Sequence, residues 1–145
     1  MWKAIAGVVV GVVVGALVGA RVSQGGLELA ALSGLHAEQA DAREQYLHGD
    51  TEVAIYAMEH LIRQLKATRD SAPMLRAALV RDLAVAYTRL GVLAEKAGDR
   101  GKANQAFSDA MLAFAVDGPR LDSIDDAKAF VQRIDQTKPR HDRRR

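Results

Sequence analysis

Between Lys3 and Arg21 the chain carries no charge: residues 4–20 read AIAGVVVGVVVGALVGA, seventeen uncharged positions in a row. A helix needs about 17–25 mostly apolar residues to cross a hydrocarbon core of about 30 Å, so this run is just long enough to span. Lys3 and Arg21 are placed to snorkel, and Trp2 suits the interface. So much Gly and Val would make a poor helix in water, whereas a membrane forces internal hydrogen bonding on any spanning segment. Gly7, Gly11, Gly15 and Gly19 recur every four residues, which puts all four on one helical face and opens it to close approach by another helix. Residues 1–23 are therefore expected to form a transmembrane anchor with a glycine-zipper seam, followed by a linker at residues 24–26.

Two other readings of this segment stay open. As a signal peptide it would have Met1 to Lys3 as a positive n-region and Val18-Gly19-Ala20 as the small-residue cleavage site. The apolar run is longer than an ordinary h-region, however, and no polar stretch separates it from the cut. A buried soluble helix is the other alternative. A short tail before the span and a long polar domain after it place the N-terminus in the cytoplasm. The domain would then lie outside, in the periplasm if the membrane is a bacterial inner membrane. Cleavage would instead leave a soluble secreted or periplasmic protein.

The pI near 9.1 invites a nucleic-acid reading until the charges are located. Lys and Arg outnumber Asp and Glu by 2 to 0 in residues 1–26 and by 5 to 1 in residues 138–145, but residues 27–137 hold 13 against 17. The folded part is mildly acidic, which argues against a nucleic-acid-binding face. The tail from Lys138 to Arg145 reads as a short, polar, disordered terminus, with anionic lipid headgroups, an acidic partner, or nucleic acid if it is cytoplasmic, as its sharper uses. With no cysteine, disulfides and thiolate chemistry are excluded, though no compartment is chosen.

Residues 27–137 are poor in aromatic residues and rich in Ala and Leu, which favours packed helices over a sheet. Gly and Pro punctuation divides them into five helical segments. The first is predicted over 27–47 and stops at Gly49-Asp50. The second covers 51–68, with Asp50 or Thr51 as N-cap and Ala54, Met58, Leu61 and Leu65 on one face. The third has Pro73 in its first turn and carries Leu75, Leu79, Leu83, Ala86 and Leu90 toward Gly98. The fourth spans 100–115. The last opens on Ser123-Ile124-Asp125-Asp126, similar to a capping box, with Ile124, Ala127, Val131 and Ile134 as its stripe.

Tyr87, Leu90, Gly91, Ala94, Gly98, Ala103, Phe107 and Ala110 fall at spacings that resemble the tetratricopeptide repeat. The physics agrees: Gly91, Ala94, Ala103 and Ala110 let two antiparallel helices approach, Tyr87 and Phe107 fill the gaps, and Gly98 turns the chain. Gly49, Ala54, Met58 and Leu61 make a partial second copy. There Glu38 and Asp41 stand where an aromatic and a Leu belong, Tyr46 is one place off, and Lys66 replaces the terminal Pro. The two copies lie 49 residues apart rather than the repeat's 34.

The resemblance implies an all-α fold of antiparallel hairpins closed by a C-terminal capping helix. Because about three repeats are normally needed for a stable array, oligomerisation or a partner is expected to complete the core. It further implies a concave, protein-binding face built from first-helix positions. These are Val85, Thr88, Val92, Glu95 and Lys96 in the better copy, and His36, Gln39, Arg43, Tyr46 and Leu47 in the partial one.

Residues with catalytic potential are scattered. His36, His48 and His60 are spaced by 12 residues, or 3.3 helical turns, across a predicted break; with His141 they form no ligand motif. Glu28, Glu38, Glu44, Asp125 and Asp126 read as capping and solvated acids, and no serine sits in a nucleophile elbow. The expectation is a non-enzymatic, membrane-anchored adaptor that needs neither cofactor nor metal and whose partner is a protein. The alternative is a structural membrane subunit assembled through the glycine face.

Overall fold

A glycine and a ring decide how closely the two longest-paired helices approach. The computed structural model describes residues 33–137. The chain divides into two units, residues 1–36 and 37–145, and the second contains the helical hairpins. The anchor or signal segment 1–23 with Gly7, Gly11, Gly15 and Gly19, the linker 24–26, the start of the first helix and the tail 138–145 lie outside the described residues. Among the described residues no helix is long and apolar enough to cross a membrane.

The described residues form an all-α array: α1 (33–48), α2 (Thr51–Ser71), a 3-10 turn (Pro73–Leu75), α3 (Arg76–Lys96), α4 (Arg100–Asp117) and α5 (Ile124–Gln136). Local chemistry sets the boundaries. Asp50 caps α2 by accepting from the Glu52 N–H at 2.9 Å. Ala72, before Pro73, is kept out of the helical region at φ −125° and ψ 78°, yet α2 continues to Ser71, three residues past the expected Thr68, before it breaks. Pro73 correspondingly opens the 3-10 turn, and α3 proper begins only at Arg76.

Gly98 adopts a φ of +80°, a left-handed conformation open chiefly to glycine. The Gly98 N–H donates to the Glu95 carbonyl at 3.0 Å and the Asp99 N–H to the Ala94 carbonyl at 2.9 Å, the two bonds of a Schellman termination. Asp99 then caps α4 by accepting from the Lys102 N–H. In α5 the Ser123 side chain caps the Asp126 N–H, while the Asp126 carboxylate accepts from the Ser123 hydroxyl at 2.8 Å. The box therefore closes on a side chain rather than on the cap's backbone N–H.

Helix α3 packs against α2, α4 and α5. Of its expected stripe Leu79, Leu83, Ala86 and Leu90 are buried, while Leu75 is half-buried in the 3-10 turn before the helix; the α2 stripe of Ala54, Met58, Leu61 and Leu65 is buried throughout. Ala94, Ala103 and Phe107 form one cluster of the α3/α4 hairpin, and Ala84, Phe114 and Ala127 form another shared with α5. On α5 only Ala127 and Val131 of the four expected stripe residues are buried; Ile124 and Ile134 sit at the margin, 38% and 37% exposed.

The α3/α4 hairpin depends on Gly91. A β-carbon there would lie 2.5 Å from Cε1 and 2.7 Å from Cδ1 of Phe107, whose ring is 2% exposed and confined. Gly91→Ala is expected to destabilise the protein by about 1–3 kcal/mol through overpacking. Pairing it with Phe107→Leu should recover part of that loss in urea unfolding. An unchanged midpoint for the single variant would show that the ring has room to move.

Candidate partner-binding surface

The chain's own last helix meets part of the face assigned to a partner by the repeat spacing. Val85 packs against the Ala84, Phe114 and Ala127 cluster, and Phe130 of α5 meets Phe114 edge-on, the ring centroids 5.6 Å apart at 89°. Glu95 accepts from Lys128 Nζ at 2.8 and 2.9 Å, and the same ammonium lies 4.7 Å from the Phe107 ring centroid. Val92 packs against the Ala94, Ala103 and Phe107 cluster. Thr88 is fully buried, its hydroxyl donating to the Ala84 carbonyl at 2.8 Å. Its placement on a partner-binding face is therefore corrected: a hydroxyl satisfied within its own helix and sealed from solvent contacts no partner. Of the first set only Lys96 is fully exposed and without a partner on α5.

The second set divides. Gln39 donates to Asp82 of α3 at 2.8 Å, and Arg43 donates to the backbone carbonyl of Asp135 at 3.0 Å. Tyr46 lies half-buried beneath the Arg89 guanidinium, 5.5 Å from its ring centroid. Leu47 and His36 are exposed. The structure thus gathers Gln39, Arg43, Tyr46, Val85 and Arg89 around the end of α5, leaving between α1, α3 and α5 a cleft of about 320 Å³.

At the centre of this arrangement is an ion pair between Arg89 and Asp135, whose side chains are 8% and 7% exposed. Neither residue stood out in the sequence as functional, although a signal exists. Arg89 lies three residues past Ala86 and four before Leu93, inside the buried stripe of α3; Asp135 lies four past Val131, on the buried side of α5. Opposite charges within two apolar stripes point to a buried pair.

Among the repeat positions, Leu90, Gly91, Ala94, Ala103, Phe107 and Ala110 are buried, and Gly98 makes the turn. Tyr87 is only half-buried, beneath Lys66 Nζ, which is 5.4 Å from its centroid. It therefore borders a groove instead of filling the α3/α4 gap as expected.

That groove, of about 520 Å³, runs between α2, α3 and α4 and is lined by Lys66, Arg69, Arg76, Val80, Leu83, Tyr87, Leu112 and Val116 among others. A second groove of similar size lies between α1 and α2, lined by Glu38, Asp41, Val53, Tyr56, His60 and Leu61 with small residues between. His60 Nδ1 stands 3.8 Å from Glu38 Oε2, beyond hydrogen-bonding reach. No three or more His, Asp or Glu residues are placed to hold a metal among the described residues. No protein-family model, characterised protein or solved structure matches the chain.

The Arg89, Asp135 and Tyr46 cluster can be probed in two ways. Asp135→Ala leaves a buried guanidinium uncompensated and is expected to destabilise by about 3–5 kcal/mol, whereas adding Arg89→Met should restore most of the urea midpoint. An Asp135→Ala variant of unchanged stability would mean that water reaches Arg89.

Tyr46 responds to pH. Burial first, and then the Asp135 carboxylate, push its hydroxyl above the ordinary value of 10.0, with Arg89 opposing. The folded chain therefore keeps this proton where the unfolded chain has lost it, so stability declines as pH rises past about 10. Tyr46→Phe should flatten that decline in thermal melts between about pH 9 and 11; an identical slope would remove Tyr46 as its source.

Proposed function

We propose that this protein is a single-pass, membrane-anchored adaptor whose tetratricopeptide-like helical domain holds a partner protein in an envelope-associated complex. The observation that carries the reading is the α3/α4 hairpin. Phe107 fills the notch at Gly91, Ala94 and Ala103 line the crossing, and Gly98 makes the left-handed turn, all at repeat spacing. A hairpin held together by small residues keeps its outer side chains free for recognition, and repeat arrays use such surfaces to bind proteins. The anchor rests on the uncharged run from Ala4 to Ala20.

With α5 meeting part of the first candidate face, recognition moves to the open surfaces. Leu47, Val53, Tyr56, Met74, Leu112 and Val116 are large apolar side chains left 39–94% exposed. Several lie on or beside the two grooves, and exposed apolar side chains grouped in this way mark interaction sites. The structural-subunit reading draws on a different feature, the four-residue glycine spacing at Gly7, Gly11, Gly15 and Gly19.

Three measurements separate these readings. The intact mass of protein extracted from membranes should retain residues 1–20; their loss would remove the anchor. Replacing Leu47, Tyr56 and Leu112 together by Ser should reduce recovery of a stoichiometric partner by about tenfold without a change in helicity, as truncation of interface anchors does. Retention of every partner would sink the adaptor. Gly11→Leu with Gly15→Leu should leave that partner bound, and loss of the complex would favour the glycine-seam subunit instead.

A further inference from the structure

The two open grooves carry opposite charge, and each is bordered by apolar side chains that project. Between α1 and α2 the acids are Glu38 and Asp41, with His60 nearby. Between α2, α3 and α4 the cations are Lys66, Arg69 and Arg76; Asp109 is the acid in the lining, and Arg69 also donates to the neighbouring Asp70 at 2.9 Å. The second set stands out because residues 27–137 as a whole are acidic, 13 basic against 17 acidic side chains.

The apolar parts complement each other as well. Leu112 and Val116, one turn apart on α4, are 65% and 75% exposed and form a ridge beside the basic groove. Val53 and Tyr56 on α2, 51% and 66% exposed, form the corresponding ridge beside the acidic one. Ridges of this spacing seat in the grooves of a facing helix pair. Glu38, its side chain 39% exposed, faces His60 Nδ1 at 3.8 Å and adds a partly solvated negative charge to this groove.

The grooves face different ways. With about 100° of rotation per residue, Val53 and Ala57 lie on one side of the buried Met58 stripe of α2 and Lys66 on the other. One groove therefore opens toward α1 and the other toward α3 and α4. A single chain cannot close one groove on the other.

We propose that a second copy of this chain is the occupant. The Leu112–Val116 ridge and the Lys66, Arg69 and Arg76 rim of one protomer seat on the Glu38 and Asp41 groove of the next, while Val53 and Tyr56 fill the basic groove in return. Because the two surfaces differ, the contact is heterologous and generates a ring or an open array rather than an isologous dimer. The proposal stands on residues 37–137 and does not depend on the anchor; Tyr56 and Leu112 are also the side chains given to the adaptor's partner, so the two occupants compete for one surface, and a cross-link on the purified protein reads the self-contact without that partner.

The chain has no cysteine of its own, which permits a direct test on the full-length protein in detergent micelles. Val53→Cys and Leu112→Cys proteins carrying different tags are mixed and oxidised. The 53-to-112 cross-link should exceed either self-pair by about tenfold, and Lys66→Glu, Arg69→Glu and Arg76→Glu together in the Leu112→Cys chain should reduce it about tenfold, as reversal of interface charges does. Adding Glu38→Lys and Asp41→Lys to the Val53→Cys chain should restore it, a rescue that a folding defect would not show; circular dichroism checks helicity in each case.

Self-pairs as strong as the mixed pair would overturn the proposal, since association through the N-terminal run or an isologous face predicts that pattern. So would a cross-link indifferent to charge reversal. Loss of the cross-link on adding phosphatidylglycerol vesicles, or on adding a Glu- and Leu-rich amphipathic peptide at stoichiometric concentration, would also overturn it. The basic groove would then belong to a lipid surface or to an acidic partner helix.

Discussion

The closeness of α3 and α4 at Gly91 is the constraint on which the remaining packing depends. With no β-carbon there, the Phe107 ring can lie directly over the α3 backbone, and Ala94 and Ala103 continue the near approach toward the Gly98 turn. The same helix pair, one turn and more further along, brings Ala84 under Phe114, and Phe114 is the ring on which Phe130 of α5 rests. Widening the crossing by one methyl group would therefore be felt at α5 as well, because close-packed interiors transmit displacement rather than absorb it.

The polar contacts of α5 have a different role. A 13-residue helix with two fully buried side chains, Ala127 and Val131, has little apolar area with which to choose one register on α3. The Arg89 pair with Asp135, the Arg43 bond to the Asp135 carbonyl and the Lys128 bonds to Glu95 supply that choice. Buried charge pairs contribute little net stability, but a misregistered helix would strand Arg89 without a counter-ion, which is costly. We regard the pair as a device that holds α5 in one place, a placement that leaves the faces of α2 and α4 open.

Much of the all-α architecture was legible in residue order. Capping is a short-range interaction, so Asp50 and Ser123 announce helix starts, and Gly98 announces a stop, from a few neighbours each. Apolar periodicity placed the buried stripes of α2 and α3 correctly. Where the reading failed, tertiary context had intervened. The end of α2 ran past Thr68 because nothing in KATRDS forbids a helix until Pro73 restricts Ala72. Tyr87, expected between α3 and α4, borders the α2 groove because Phe107 already fills the Gly91 notch.

The candidate site was far less legible. Thr88 reads as a polar, partner-facing residue, yet it is fully buried, its hydroxyl bonded to the Ala84 carbonyl of its own helix. Sequence by itself determined the helices, their caps, the small-residue crossing and the apolar run at the N-terminus, all of which arise from interactions within a few turns of chain. Which faces stay open, and that Arg89 and Asp135 meet, only the tertiary structure decided. Exposure is a property of what packs against a surface, and the packing partner of α3 is set by the shapes of three other helices rather than by any neighbour in sequence.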